Sequence, residues 1–134
     1  MLKKRTVLFV LCLFIALVSG VGCDDDVTEV DERALLEEME QDVLDYVGEP
    51  QCDNLTDCRY IEFGDKPCGG PWYYLIYSIS SVDSGKLENM VLEYNEYNEE
   101  LNLNYNWISD CSVPNTPNLD CLNGLCVDLG YGPE

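Results

Sequence analysis

The sequence predicts an α+β fold: a small disulfide-stapled antiparallel sheet packed against one long helix, with an additional N-terminal helix. Three observations support this prediction. One apolar stripe at helical spacing covers residues 84–101, two short aromatic and β-branched segments precede it, and six cysteines are spread over residues 52–126. A chain of 134 residues has room for one domain with a modest core. Cross-links are therefore expected to contribute much of its stability.

The long helix is the clearest element of the pattern. Asp83 or Ser84 can cap its start. The spacing of its apolar and aromatic residues places them on one face, which we interpret as a core stripe rather than a ligand-stacking surface. Its members are Leu87, Met90, Val91, Tyr94, Tyr97 or Asn98, and Leu101.

Along the sequence, the strands of the predicted sheet precede and follow this helix. Residues 59–63 and 72–79 are expected to pair antiparallel across the turn-rich connector 64–71. Residues 119–129 are expected to add a hairpin around Asn123-Gly124, a strong two-residue turn signal. The connector is a possible recognition loop, although a structural turn beside a disulfide is the simpler interpretation. Its candidate residues are Lys66, Gly69, Gly70 and Pro71.

The N-terminal helix is predicted over residues 32–47, with Asp31 as its cap and Gly48 at its end. Before it, residues 23–31 are acidic and carry no apolar period, which favours an extended tether. The predicted domain therefore covers residues 32–134.

The cysteines indicate disulfides rather than a metal site. An exported chain folds in an oxidising compartment, and this one has no histidine to complete a zinc site. We predict three bridges, with Cys121 and Cys126 either paired with each other or each joined to the rest of the domain. The six residues are Cys52, Cys58, Cys68, Cys111, Cys121 and Cys126.

The first 22 residues have the order of a bacterial secretory signal: a basic start, an apolar segment and small residues before Cys23. The segment resembles a lipoprotein lipobox, although Gly20 stands where a larger apolar residue is usual. Lipidation of Cys23 leaves an even number of cysteines, whereas an ordinary signal cleaved after Gly20 or Gly22 leaves an odd thiol. The prediction is a lipid-anchored protein of the cell envelope, at the outer membrane or cell surface; without lipid it is secreted.

The charge balance restricts the partners and the chemistry. The chain has 26 acidic and seven basic residues, a net charge of −19 and no histidine. Such a surface repels nucleic acid and anionic membranes, so lipid rather than charge is expected to hold the protein at a membrane. No motif indicates a cofactor, and the acidic run 24–26 offers calcium weak binding at best.

These features favour a non-catalytic binding or structural role with a protein or glycan partner. No catalytic residues are predicted, because histidine is absent, the thiols are expected to be oxidised, and no glycine-rich phosphate motif occurs. The alternative is an inhibitor of a protease or another hydrolase, because a disulfide-held loop lowers the entropic cost of binding.

Several short motifs occur in a fixed order. Lys66-Pro67-Cys68-Gly69-Gly70-Pro71-Trp72 is followed by Ser109-Asp110-Cys111 and by Cys121-Leu-Asn-Gly-Leu-Cys126. In this set, which covers roughly residues 52–127, the chain resembles a group of small uncharacterised bacterial exported proteins. The resemblance supports the domain and implies no activity.

Overall fold

A computed structural model describes residues 28–130. The fold is α+β, with two α-helices and four strands in the order α1 (Glu29–Val47), β1 (Cys58–Phe63), β2 (Tyr73–Ser78), α2 (Ser84–Tyr105), β3 (Leu119–Leu122) and β4 (Leu125–Asp128). A single 3-10 turn (Leu55–Asp57) precedes β1. Across this described range, neither helix combines the length and the apolar character that a membrane span requires. The predicted signal peptide and Cys23 lie outside the described residues.

Helix α1 starts earlier than predicted. Thr28, not Asp31, is its N-cap: the Thr28 hydroxyl accepts from the Asp31 N–H, and the Asp31 carboxylate accepts from the Thr28 N–H at 3.1 Å. This reciprocal capping box satisfies two backbone donors of the first turn. Residues 29–31, assigned to the tether by their acidity, are therefore helical. The helix ends at Gly48 as predicted, where a φ of 54° favours glycine.

Strands β1 and β2 form the predicted antiparallel hairpin, with Cys58 opposite Ser78 and Phe63 opposite Tyr73. Trp72 and Ile79, predicted as its outer residues, flank β2. The Trp72 N–H still donates to the carbonyl of Phe63 at 2.9 Å, so the backbone of Trp72 is fixed to the strand end.

The C-terminal hairpin β3–β4 forms as predicted but not as part of the same sheet. Asn123 and Gly124 both have positive φ angles, as its two-residue turn requires. The edge of this hairpin lies against the segment before β1. The Cys126 N–H donates to the Pro50 carbonyl, and the Cys52 N–H donates to the Gly124 carbonyl. These bonds occupy the hairpin edge, so the described chain has two two-stranded sheets instead of one.

The stripe of α2 is buried, which confirms its interpretation as core. Leu87 and Leu101 are fully buried. The sequence allowed either Tyr97 or Asn98 at one position of the stripe, and Asn98 is the residue that is buried there. The helix is longer than predicted and continues to Tyr105. Its stripe is covered by α1 as well as by the β1–β2 hairpin. The main core comprises Val43, Val47, Phe63, Leu75, Tyr77, Leu87, Val91 and Tyr94.

Candidate binding cleft

An open cleft of about 570 Å³ lies where α1, α2, the start of β2 and the segment after α2 meet. This volume is in the range of small-ligand sites. Its lining combines aromatic, amide and aliphatic groups with one cation: Arg33, Leu36, Trp72, Tyr94, Asn98, Asn106, Trp107 and Ile108.

Both tryptophans of the chain line this cleft. Trp72 keeps 40% of its surface exposed, and Ile108 at the cleft end is 91% exposed. Large apolar side chains on an open concave surface are typical of binding sites, because covering them releases water from apolar area.

Trp72 is positioned by the connector that precedes it. Gly64 has a φ of +76°, and a Cβ at this position would lie 2.4 Å from Cδ1 of Trp72. The Lys66 ammonium lies 5.1 Å from the centre of the same ring. Glycine at position 64 thus allows the indole to lie directly on the backbone, and the lysine adds a cation–π contact.

We therefore expect Gly64→Ala to displace Trp72 and to cost about 1–3 kcal/mol of unfolding free energy, the range for a strained left-handed residue. Urea denaturation measures the free energy, and tryptophan emission reports the ring's new environment. Gly70→Ala is the matched control, since Gly70 also has a positive φ but no atom within 4 Å of its added Cβ. Equal emission changes in both variants would contradict the packing of Trp72 on Gly64.

Trp107 is held against α1. Its Nε1 donates to the Glu29 carboxylate at 3.0 Å, and the Arg33 guanidinium lies over its ring at 3.8 Å. Arg33 also pairs with Glu29 at 2.7 Å. The hydrogen bond from Arg33, followed by that from Trp107, lowers the pKa of Glu29. The turn that brings Trp107 here is made by Asn106, which has a left-handed φ of 51° and ends α2.

The cleft floor is formed by Tyr94 and Asn98, one helical turn apart on α2. Tyr94 stacks on Phe63 with 4.3 Å between ring centres, and burial, assisted by the charge of Glu40, raises its pKa to about 12. Asn98 accepts the Asp65 N–H at 2.9 Å through Oδ1. Within residues 28–130 its Nδ2 has no protein acceptor, which leaves an amide donor for a ligand.

The predicted recognition loop is only partly accessible. Lys66 is 4% exposed, and its ammonium donates to the Ser112 carbonyl at 2.7 Å, to the Ser112 hydroxyl and to Asp110 at 3.2 Å. Lys66, a candidate residue of the predicted recognition loop, is thus held inside the domain, where these groups satisfy its buried charge. Pro71 is buried as well, and Gly69 and Gly70 remain exposed.

The contacts of Asp110 with Ser112 and Lys66 predict an acid-sensitive contribution to stability. Hydrogen bonds from the Ser112 N–H and hydroxyl, then from Lys66, lower the Asp110 pKa to about 2 from 3.8. A carboxyl with a depressed folded-state pKa stabilises the fold above its unfolded pKa, and this contribution is lost as the pH falls toward the folded value. Asp110→Asn should therefore reduce the loss of stability between about pH 4 and pH 2, measured by urea denaturation. An unchanged pH profile would contradict these contacts.

All six predicted cysteines form disulfides, as Cys52–Cys121, Cys58–Cys126 and Cys68–Cys111. Cys121 and Cys126 are therefore not bonded to each other. Each is bonded to a cysteine outside the hairpin and links the hairpin to the rest of the domain. The sulfurs of Cys52, Cys58 and Cys126 lie close together, but all three are bonded in disulfides and cannot serve as thiolate zinc ligands.

The third disulfide ties the connector before Trp72 to the segment after Trp107. Cys68 and Cys111 are both exposed, in contrast to the buried Cys58 and Cys126. The segments that carry the two tryptophans are thus covalently linked, four residues from each tryptophan in the chain.

Sequence reasoning missed the cleft. No motif marks the lining residues Trp107, Ile108 and Arg33. The first two follow the apolar stripe of the long helix, and Arg33 interrupts the apolar pattern of the N-terminal helix. The available signal was the pair of tryptophans, one at the first residue of the predicted strand 72–79 and the other beyond the predicted end of the long helix. Comparison of the chain with protein-family models, with curated proteins and with solved structures found no match.

Proposed function

We propose that this chain is an exported, lipid-anchored protein of the bacterial cell envelope with a non-catalytic binding role. The cleft lined by Trp72 and Trp107 is its proposed binding surface. The observation that carries the proposal is the placement of both tryptophans in a single open cleft, one of them 40% exposed.

The chemistry of the lining supports binding rather than catalysis. Its eight residues include neither a carboxylate nor a thiol, and the Tyr94 hydroxyl has a pKa of about 12. A general acid or base works best with a pKa near the operating pH. Tryptophan, tyrosine and arginine, all present in this lining, are instead the residues enriched among those that dominate binding energy at recognition surfaces.

The inhibitor alternative gains no support from the connector. Its basic residue, Lys66, is buried and held by Ser112 and Asp110. A protease would have to break these contacts to bind the lysine in a specificity pocket. We therefore rank the binding role above inhibition.

The anchor is tested by mass spectrometry of the membrane fraction. We expect a mature peptide that starts at lipid-modified Cys23, and release of a Cys23→Ser variant into the soluble fraction. An unmodified terminus at Val21 or at Cys23 would contradict the anchor and leave a secreted binding protein.

The cleft is tested by photo-crosslinking in intact producing cells. A photoreactive amino acid at Ile108 should cross-link a partner, and the same probe at Leu92 should not. Leu92 is a matched control because it is also an exposed apolar residue, at 54%, but lies outside the cleft. Equal cross-linking at both positions would contradict the cleft as the binding surface.

A further inference from the structure

We infer that the cleft binds a cationic polypeptide segment: an aromatic or aliphatic side chain enters between Trp72 and Trp107, and flanking lysines or arginines face the surrounding carboxylates. This inference rests on the proposed binding function and names the chemical class of the partner. It follows from the charges, the exposed groups and the hydrogen-bonding capacity of the described residues.

The domain has few basic residues, and each of them already contacts a group of the domain, although three of the four are exposed. Arg33 is paired with Glu29, and Lys66 is buried. Arg59 donates to two backbone carbonyls, and Lys86 lies 4.2 Å from an aromatic ring. These four are the only basic residues after residue 5, against 26 acidic residues in the chain. The surface therefore attracts a basic partner and repels a second copy of itself.

Three carboxylates that bond to lining residues or to their neighbours in the chain have no cationic partner within residues 28–130. Glu32 precedes Arg33 and accepts from the Tyr105 hydroxyl. Glu40 lies one turn beyond Leu36 and accepts from Tyr73 at 3.1 Å. The Asp65 N–H donates to Asn98, and the Asp65 carboxylate accepts from Nδ2 of Asn102 at 3.3 Å, one helical turn further along α2. Their negative charge is available to lysine or arginine side chains that flank an inserted anchor.

The inside of the cleft is suited to an uncharged anchor. The charge of its cation, Arg33, is balanced by Glu29, and the remaining lining is aromatic, amide and aliphatic. The free Nδ2 of Asn98 can donate to a backbone carbonyl, which every peptide presents. A peptide therefore matches both the apolar walls and the amide on the floor.

The rim favours a polypeptide over a glycan. Ile108, which lines the cleft, is 91% exposed. An aliphatic side chain at this position gains from contact with other apolar side chains, whereas it offers no hydrogen bond to sugar hydroxyls.

The test is a selection of random 12-residue peptides displayed on phage against the folded domain. Binders are then counter-selected against a Trp72→Ala/Trp107→Ala variant whose folding is verified by circular dichroism. We expect the enriched peptides to carry net positive charge and at least one aromatic or large aliphatic residue. A synthetic copy of an enriched peptide should bind about tenfold more weakly in 0.5 M than in 0.05 M sodium chloride, because salt screens the charge contacts.

Two single substitutions keep the test independent of folding. Ile108→Ser should weaken binding of the enriched peptide by about fivefold or more, because a large apolar contact is lost. Leu92→Ser should leave its affinity unchanged, because this exposed residue lies outside the cleft.

The outcomes separate the partner class from the binding function. Enriched peptides that are neutral or acidic, or whose binding is insensitive to salt, would overturn the cationic partner but keep the cleft. The same holds if no peptide is enriched but chitohexaose or cellohexaose shifts the tryptophan emission. Identical enrichment by the wild type and the double tryptophan variant, or no response to any of these probes, would overturn both.

Discussion

Removal of the Cys58–Cys126 disulfide by paired serine substitutions is expected to lower the free energy of unfolding by about 2–5 kcal/mol. The bridge spans 68 residues and joins β1 to β4, and both of its cysteines are buried, at 3% and 5% exposure. Its loss releases a long loop in the unfolded state and leaves two hydroxyl groups in a buried cluster. Urea denaturation of the purified domain measures the change.

The exposed Cys68–Cys111 bridge is the matched control. It spans 43 residues, so loop entropy alone predicts a difference of only about 0.4 kcal/mol between the two bridges. We expect a larger difference, because serines at positions 68 and 111 remain exposed to water. Equal losses of unfolding free energy would show that burial of the Cys52, Cys58 and Cys126 cluster does not add to stability.

Tyr94→Ala is expected to cost about 3–5 kcal/mol, the range for removing a large aromatic side chain from a core. Tyr94 is 5% exposed and stacks on the fully buried Phe63. The substitution therefore leaves a cavity between α2 and the β1–β2 hairpin. Urea denaturation measures the loss.

Tyr94→Phe separates the core role of this residue from a ligand role. It keeps the ring and removes only the hydroxyl, so we expect a change of about 1 kcal/mol or less. If Tyr94→Ala left stability intact while abolishing peptide binding, the stripe of α2 would be a ligand surface and its assignment to the core would be wrong.

Elements with local signals could be predicted from the sequence. The stripe from Leu87 to Leu101 and the Asn123-Gly124 turn each depend on residues close together in the chain, so their periodicity and turn chemistry were sufficient. The start of α1 was predicted three residues late, because Thr28 was not recognised as one half of a capping box with Asp31. Glu29 and Asp31 were interpreted as part of the acidic tether, although acidic residues also favour the N-terminus of a helix.

Features set by distant residues could not be predicted. The separate C-terminal sheet depends on disulfides and backbone bonds to residues 50–58, 68 or more positions away in the chain. The burial of Lys66 depends on Asp110 and Ser112, more than 40 positions away. The cleft itself requires Glu29 and Arg33 to hold Trp107, a contact between the start of α1 and the segment after α2, 78 positions apart for Glu29 and Trp107.

The indole N–H signals of Trp72 and Trp107 provide the most direct measurement of binding at the cleft. A nitrogen–proton correlation spectrum of the labelled domain contains one such signal for each of the chain's two tryptophans. Upon titration with an enriched cationic peptide, we expect both signals to shift together and to saturate at the same peptide concentration. Saturable binding that moves other signals of the domain but neither indole would contradict the cleft as the binding surface.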